Sequence, residues 1–309
     1  PHPGRGGGAA GRGGMRFASP PCGAPRTARS TPPPPPPPPA APPPPATLHE
    51  AMRYSLFAGG KRIRPLLCVA AAEAVGGNGD AVLPTACALE MVHTFSLIHD
   101  DLPALDNDDL RRGLPTSHKK FGEAMAILAG DALHTLAFAT LLTHQTGEPA
   151  AVLRAARLLA DALGTFGMVG GQVDDLYYEG RAADAATLRG IHARKTGALL
   201  NAALLTGAVL SGATAAQEDA LRAYGEQVGL AFQIVDDVLD VTGDGAKLGK
   251  PTGSDAKHDK ATYPKLFGLE ESRRLAFEAA EAASAALASF DQRADPLRAF
   301  ARFIVEREL

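Results

Sequence analysis

Residues 197–210 read GALLNAALLTGAVL, a stretch that is apolar on nearly every side when wound as a helix. Such a helix has no face to offer water, so it belongs in the middle of other helices. The rest of the chain agrees. Aromatic residues make up 6% of 309 and Trp is absent, whereas strands draw on aromatic and β-branched side chains. Ala and Leu, both strong helix formers, abound. No segment alternates polar and apolar residues as a half-buried strand does, and the expectation is a single large all-α domain.

Apolar periodicity places helices near 47–57, 62–75, 81–101, 122–144, 150–178, 186–210, 216–242, 261–288 and 296–307. Breakers separate them: GGNGD at 76–80, TGEP at 146–149, SGAT at 211–214 and TGDG at 242–245. Residues 1–46 are a different material, rich in Gly and Pro, free of Asp and Glu, and carrying five arginines from Arg5 to Arg29. Pro32–Pro39 and Pro42–Pro45 offer no donor and build no core. This leader fits a disordered linker or fragment end, and equally a transit peptide starting at Met15. A bacterial chain would be cytoplasmic, and a transit peptide would direct the domain at 47–309 to a plastid.

Net charge is −3, which argues against a general nucleic-acid binder. Cys22, Cys68 and Cys87 have no CxxC spacing, as in a reduced, intracellular protein without a zinc site. No uninterrupted apolar run reaches the roughly 18–20 residues of a membrane span.

Two acid clusters end apolar helices. HDDLPALDNDDLRRG (99–113) carries Asp100, Asp101, Asp106, Asp108 and Asp109, and GLAFQIVDDVLD (229–240) carries Asp236, Asp237 and Asp240. Positions i and i+4 share a helix face, so Asp236 and Asp240 point into one space. A continuous helix would turn Asp106 away from Asp100, but Pro103 breaks it and a short bulge can bring Asp106 back. The plain alternative is a pair of solvated helix ends. Aspartate, however, suits the positive N-terminus of a helix, and these acids sit late. Hard divalent cations offset such crowding, and Mg²⁺ bridges carboxylates to phosphates.

Cationic groups are spread along the chain to match. GGKRIRP (59–65) supplies Lys61, Arg62 and Arg64, and Arg111 and Arg112 follow the first acid cluster. HARKTGA (192–198) supplies Lys195 and Thr196, and LGKPTGSDAKHDKATYP (248–264) supplies Lys250 and Lys260. Singly, each reads as a solvated charge. Together they would grip two diphosphates, arginine by paired hydrogen bonds and lysine as a point charge.

These stretches, with EMVHTFSLIHDDLPALDNDDLRRG, KFGEAMAILAGDAL and GGQVDD, stand in the order found in the trans-isoprenyl diphosphate synthases. Over roughly 47–309 the chain resembles their short-chain farnesyl/geranylgeranyl type of bacteria and plastids. The resemblance implies a bundle of antiparallel helices around a central cavity, a homodimer, three Mg²⁺ per active site and diphosphate substrates. It implies Asp100, Asp106 and Asp236 as metal ligands, with Asp101, Asp237 and Asp240 supporting them. Arg111, Lys195, Thr196, Gln233, Lys250 and Lys260 would bind the allylic diphosphate. Lys61, Arg64, His93 and Arg112 would hold isopentenyl diphosphate. His93 precedes Asp100 by two helical turns and shares its face, although a lone His in an apolar helix is more often a core residue.

In the implied reaction the allylic C–O bond ionises, the isopentenyl double bond attacks the cation, and a proton leaves to the departing diphosphate. Thr196, Gln233 and the backbone carbonyl of Lys195 would steady the cation with dipoles. Product length would be set below the first cluster by Phe95 and Ser96. Phe95 is bulky enough to stop the chain at C15, unless it only packs in the core, and C20 is the alternative. One departure is the Pro tract, which stands where the family has a further helix. The rival readings are a terpene cyclase, expected to be richer in aromatics, and a non-catalytic partner subunit, expected to lack the acid motifs.

Overall fold

A computed structural model describes residues 45–242 and 260–306. These residues are helical almost throughout. Their helices begin with α1 (Ala46–Leu56), α2 (Ile63–Ala74), α3 (Leu83–Asp100), α4 (Ser117–Phe121), α5 (Glu123–His144), α6 (Pro149–Leu163) and α7 (Met168–Tyr178). There follow α8 (Ala185–His192), α9 (Ala198–Leu210), α10 (Ala215–Thr242), α11 (Tyr263–Phe267), α12 (Leu269–Ala286) and α13 (Asp295–Glu306).

The apolar stretch that opened the sequence analysis is α9, buried at every position from Ala202 to Val209. It packs against α2, α3, α6 and α10, as a helix without a polar face must. Gly207 permits a close approach to α2, because a Cβ there would collide with the main chain of Cys68. Tyr224 of α10 is fully buried, and its hydroxyl donates to the Leu297 carbonyl at 2.6 Å, tying α13 to the bundle.

Three expectations change. The helix expected over 150–178 is two helices, because Gly164 and Gly167 interrupt it in an extended turn. That expected over 261–288 is also two, divided at Gly268 with φ +81°. A two-residue ladder, Leu110–Arg111 with Leu114–Pro115, and the short α4 follow the first acid cluster, too brief for periodicity to reveal. In addition, Gly79–Asp100 and Glu123–His144 are long and apolar enough, by length and composition, to cross a bilayer. Counting uninterrupted apolar residues overlooked them. Both are bundle helices that pack along each other, α3 deep in the core and α5 with one face uncovered.

Candidate functional site

The first acid cluster begins where α3 ends. The chain leaves the helix at Asp101, turns through Pro103, and returns so that the Asp106 N–H donates to the Asp100 carbonyl at 2.9 Å. Asn107, with φ +51°, completes the reversal. Burial pushes the Asp100 carboxyl up from its ordinary range, the Asp106 charge adds to this, and Lys195, Arg111 and Lys260 oppose it. Lys260 Nζ lies 3.3 Å from Asp106 Oδ1 and 3.4 Å from Asp175 Oδ2, and Lys195 Nζ lies 2.6 Å from the same Asp175 oxygen. Four residues singled out from the sequence, Asp100, Asp106, Lys195 and Lys260, therefore meet.

Asp175 was not foreseen as a site residue. Burial raises its carboxyl, but Lys195 and Lys260 prevail and hold it below the usual carboxylate range. Its signal lay in the GGQVDD stretch. Gly171 brings α7 against the main chain of Lys195, where a Cβ would collide with the Lys195 nitrogen. Lys195 and Thr196 sit in a π-helical turn, Ala193–Gly197, joining α8 to α9. Such turns displace side chains from ordinary helical register, often at functional sites.

Thr196 Oγ1 donates to Gln233 Oε1 at 3.0 Å, and Gln233 Nε2 donates to Asp237 Oδ1 at 3.0 Å. Asp237 also accepts from the Tyr263 N–H at 3.0 Å, so this carboxylate is committed to protein donors. Asp237 and Asp240 are buried while Asp236 is partly exposed on the same helix, α10. Asp101 is likewise committed. Its Oδ1 accepts from Arg111 Nε at 2.9 Å and from Arg111 Nη2, and Nη2 also reaches Asp108 at 3.2 Å. Burial pushes the Asp101 carboxyl up to about 6 against the pull of Arg111, whose charge the pair secures.

A second group of side chains gathers arginines around His93. Burial, then Arg64, Arg112, Arg111 and Arg62, hold His93 far below its ordinary pKa, so it is neutral at pH 7. Arg64 is itself lowered to about 10, first by burial, and its Nε is buried without a protein acceptor. Arg112 lies across Gly60 (φ +112°), where a Cβ would strike its guanidinium, and Nη1 donates to the Gly59 carbonyl. Arg62 Nη1 pairs at 2.5 Å with buried Glu90, the counter-charge of this group. Lys61 is exposed at the start of α2. Convergent arginines with an unsatisfied buried N–H are the chemistry of a polyanion site.

Phe95 packs edge-on against His99 (centroids 5.3 Å apart) and His134 of α5 (5.0 Å), and His134 meets Phe138 at 5.5 Å. Ser96 donates to the His93 carbonyl at 2.8 Å. Lys250 lies outside the described residues.

The polyprenyl synthetase family model matches residues 45–292. The chain belongs to the polyprenyl synthetase family. It is 50% identical over 264 residues to a chloroplastic geranylgeranyl pyrophosphate synthase of Capsicum annuum, covering 84% of this chain and 72% of that protein. A solved FPP/GFPP synthase of Zymomonas mobilis is 43% identical with TM-score 0.76, covering 84% and 89% of the two chains. A geranyltransferase of Helicobacter pylori, solved with magnesium and isoprenyl diphosphate, is 34% identical with TM-score 0.76, covering 84% and 86%. This polyprenyl synthetase is thus a prenyltransferase with the all-α fold of those enzymes.

Proposed function

We propose that the enzyme condenses isopentenyl diphosphate with dimethylallyl and geranyl diphosphates, and that its two differently charged ends take different substrates. The carrying observation is that segregation. Lysines interleaved with carboxylates suit a diphosphate that arrives with metal ions, whereas arginines around neutral His93 suit a diphosphate bound without them.

The oxygen-only donors and the upward push on the Asp100 carboxyl fit Mg²⁺. Among the described residues no three His, Cys, Asp or Glu side chains cluster as a ligand set, so phosphate oxygens and water would complete each shell. Asp100, Asp106 and Asp236 would hold the ions, three in number. Bound Mg²⁺ supplies Lewis-acid pull on the leaving diphosphate. Lys195, Lys250, Lys260 and Arg111 would take the charge that develops there. Thr196 and Gln233 would set their dipoles towards the allylic cation, since a full counter-charge would trap it. Arg64, Arg112, His93 and Lys61 would hold isopentenyl diphosphate so that its double bond faces that carbon.

For product length, the ring cluster of Phe95, His134 and Phe138 supports farnesyl diphosphate. The geranylgeranyl name of the Capsicum relative favours C20. A homodimer through α5 is supported by its uncovered apolar face, where Ile127, Leu128 and Leu142 are 43, 54 and 52% exposed. The test is incubation with Mg²⁺, labelled isopentenyl diphosphate and each of dimethylallyl, geranyl and farnesyl diphosphate, followed by chromatography. Incorporation ending at C15 or C20 is expected. Product without isopentenyl incorporation would indicate a cyclase, and no product a partner subunit.

A further inference from the structure

Tyr263 begins α11, three residues beyond Lys260, and is 4% exposed. Its main chain and its ring go to two different parts of the site. The N–H donates to Asp237 Oδ2 at 3.0 Å, the carboxylate whose other oxygen accepts from Gln233, which in turn accepts from Thr196. The ring lies over buried His192, with centroids 5.7 Å apart and planes 30° apart, and also meets Phe267 at 5.7 Å, while the Arg189 guanidinium of α8 donates to the hydroxyl. His192 is the last residue of α8, immediately before the π-helical turn that presents Lys195 and Thr196. Thr262 caps α11 by accepting from the Lys265 N–H, which fixes the direction in which the chain leaves Lys260.

We propose that Tyr263 is a positioning residue for the allylic end. It clamps α10 to the π-helical turn and thereby sets Lys260 between Asp106 and Asp175. The inference rests on the functional reading above. Tyr263 touches no reacting atom in it. The closed circuit of Thr196, Gln233, Asp237, Tyr263 and His192 holds two helices and one returning segment at fixed separation. Misplacement of such groups by about 1 Å, even from outside the reacting centre, costs catalysis heavily. The arginine end shares no member of the circuit, so the two substrates should respond differently.

The test compares Tyr263→Phe, Tyr263→Ala and His192→Ala with the wild-type enzyme, varying each substrate separately. Tyr263→Phe keeps the N–H and the ring, loses only the hydroxyl contact with Arg189, and is expected to stay within about threefold of wild type. Tyr263→Ala and His192→Ala are each expected to raise the allylic KM and lower kcat, together by about 10- to 100-fold in kcat/KM. The isopentenyl KM should move by less than about twofold, as only local misplacement predicts. Equal losses for both substrates, or wild-type kinetics in His192→Ala, would overturn the clamp. So would a Tyr263→Phe enzyme as impaired as the Ala variant, because the ring would not be what matters. Amide hydrogen exchange over residues 260–267 needs no turnover. Faster exchange there in the Ala variants is expected, and unchanged exchange would overturn the clamp even if the wild type proved inactive, a result that counts against the functional reading alone.

Discussion

The main-chain N–H of Asp106 donates to the carbonyl of Asp100 at 2.9 Å, closing the residues between them into one compact turn. The turn is held by backbone, so the Asp106 carboxylate can be neutralised without opening it. Asp106→Asn is expected to lower turnover by about 100-fold or more, as loss of a charge-stabilising group at a reacting centre does. The thermal midpoint should shift by less than about 4 °C, equivalent to under roughly 1 kcal/mol. The rate should also need more Mg²⁺. An Asp106→Asn enzyme with wild-type turnover at limiting Mg²⁺ would remove this residue from the candidate metal ligands.

Readability from sequence followed physical range. The place of α9 was legible because an all-apolar helix has one possible environment. The return of Asp106 was legible because Pro103 forbids the alternative. Asp175 was not, since its partners Lys195 and Lys260 lie 20 and 85 residues away and only the fold makes it their shared counter-ion. The π-helical turn escaped for another reason: its extra residue leaves the apolar pattern of 186–210 intact while rotating Lys195 and Thr196. The commitments of Asp101 to Arg111 and of Asp237 to Gln233 and Tyr263 were hidden too, because composition cannot say which acid of a cluster faces inward.

Gly171 and Gly190 separate close packing from helix propensity. At Gly171 an added methyl meets the main chain of Lys195, which cannot rotate aside, whereas at Gly190 the nearest neighbour is Arg194 Nη2 at 3.9 Å. Gly171→Ala should destabilise by about 1–3 kcal/mol through overpacking. It should also impair activity by displacing the Lys195 turn. Gly190→Ala should be neutral or stabilising by up to about 1 kcal/mol, the helix preference of Ala over Gly. Chemical denaturation of the two variants checks both signs, and equal effects would contradict the close approach of α7.

His192 gives the stability a specific pH dependence. Burial, with Lys195 adding to it and Asp175 opposing, lowers its pKa to about 4. As pH falls below the ordinary histidine value of about 6.5, the unfolded chain takes the proton first. The folded state resists until about pH 4, so the His192 contribution is complete above pH 6.5 and lost on the way down. Asp101, raised to about 6, acts with the opposite sign over much of the same window. The useful quantity is therefore the difference between wild type and His192→Gln. Urea unfolding should show the wild type losing up to about 3 kcal/mol relative to the variant between pH 7 and pH 4. A difference independent of pH would mean that His192 is not held neutral by its surroundings.

Phe95 is fixed from two sides, by His99 one turn along α3 and by His134 across in α5, with Phe138 behind His134. An edge-to-face cluster of this kind resists displacement better than a single ring, each pair contributing about 0.5–1.5 kcal/mol beyond its burial. A prenyl tail growing from the acid cluster along α3 would therefore meet a braced obstacle. Phe95→Ala removes the ring and should lengthen the main product by at least one five-carbon unit. His134→Ala leaves the ring but removes its brace, and should give a mixture of the wild-type and longer products. Phe95 is only partly buried, so its truncation should cost less than the roughly 3–5 kcal/mol of a fully buried Phe, leaving folded enzyme to assay. Chromatography of the dephosphorylated products decides the matter. If both variants keep the wild-type distribution, the cluster is core packing alone, and the length of the product is set elsewhere along the helices.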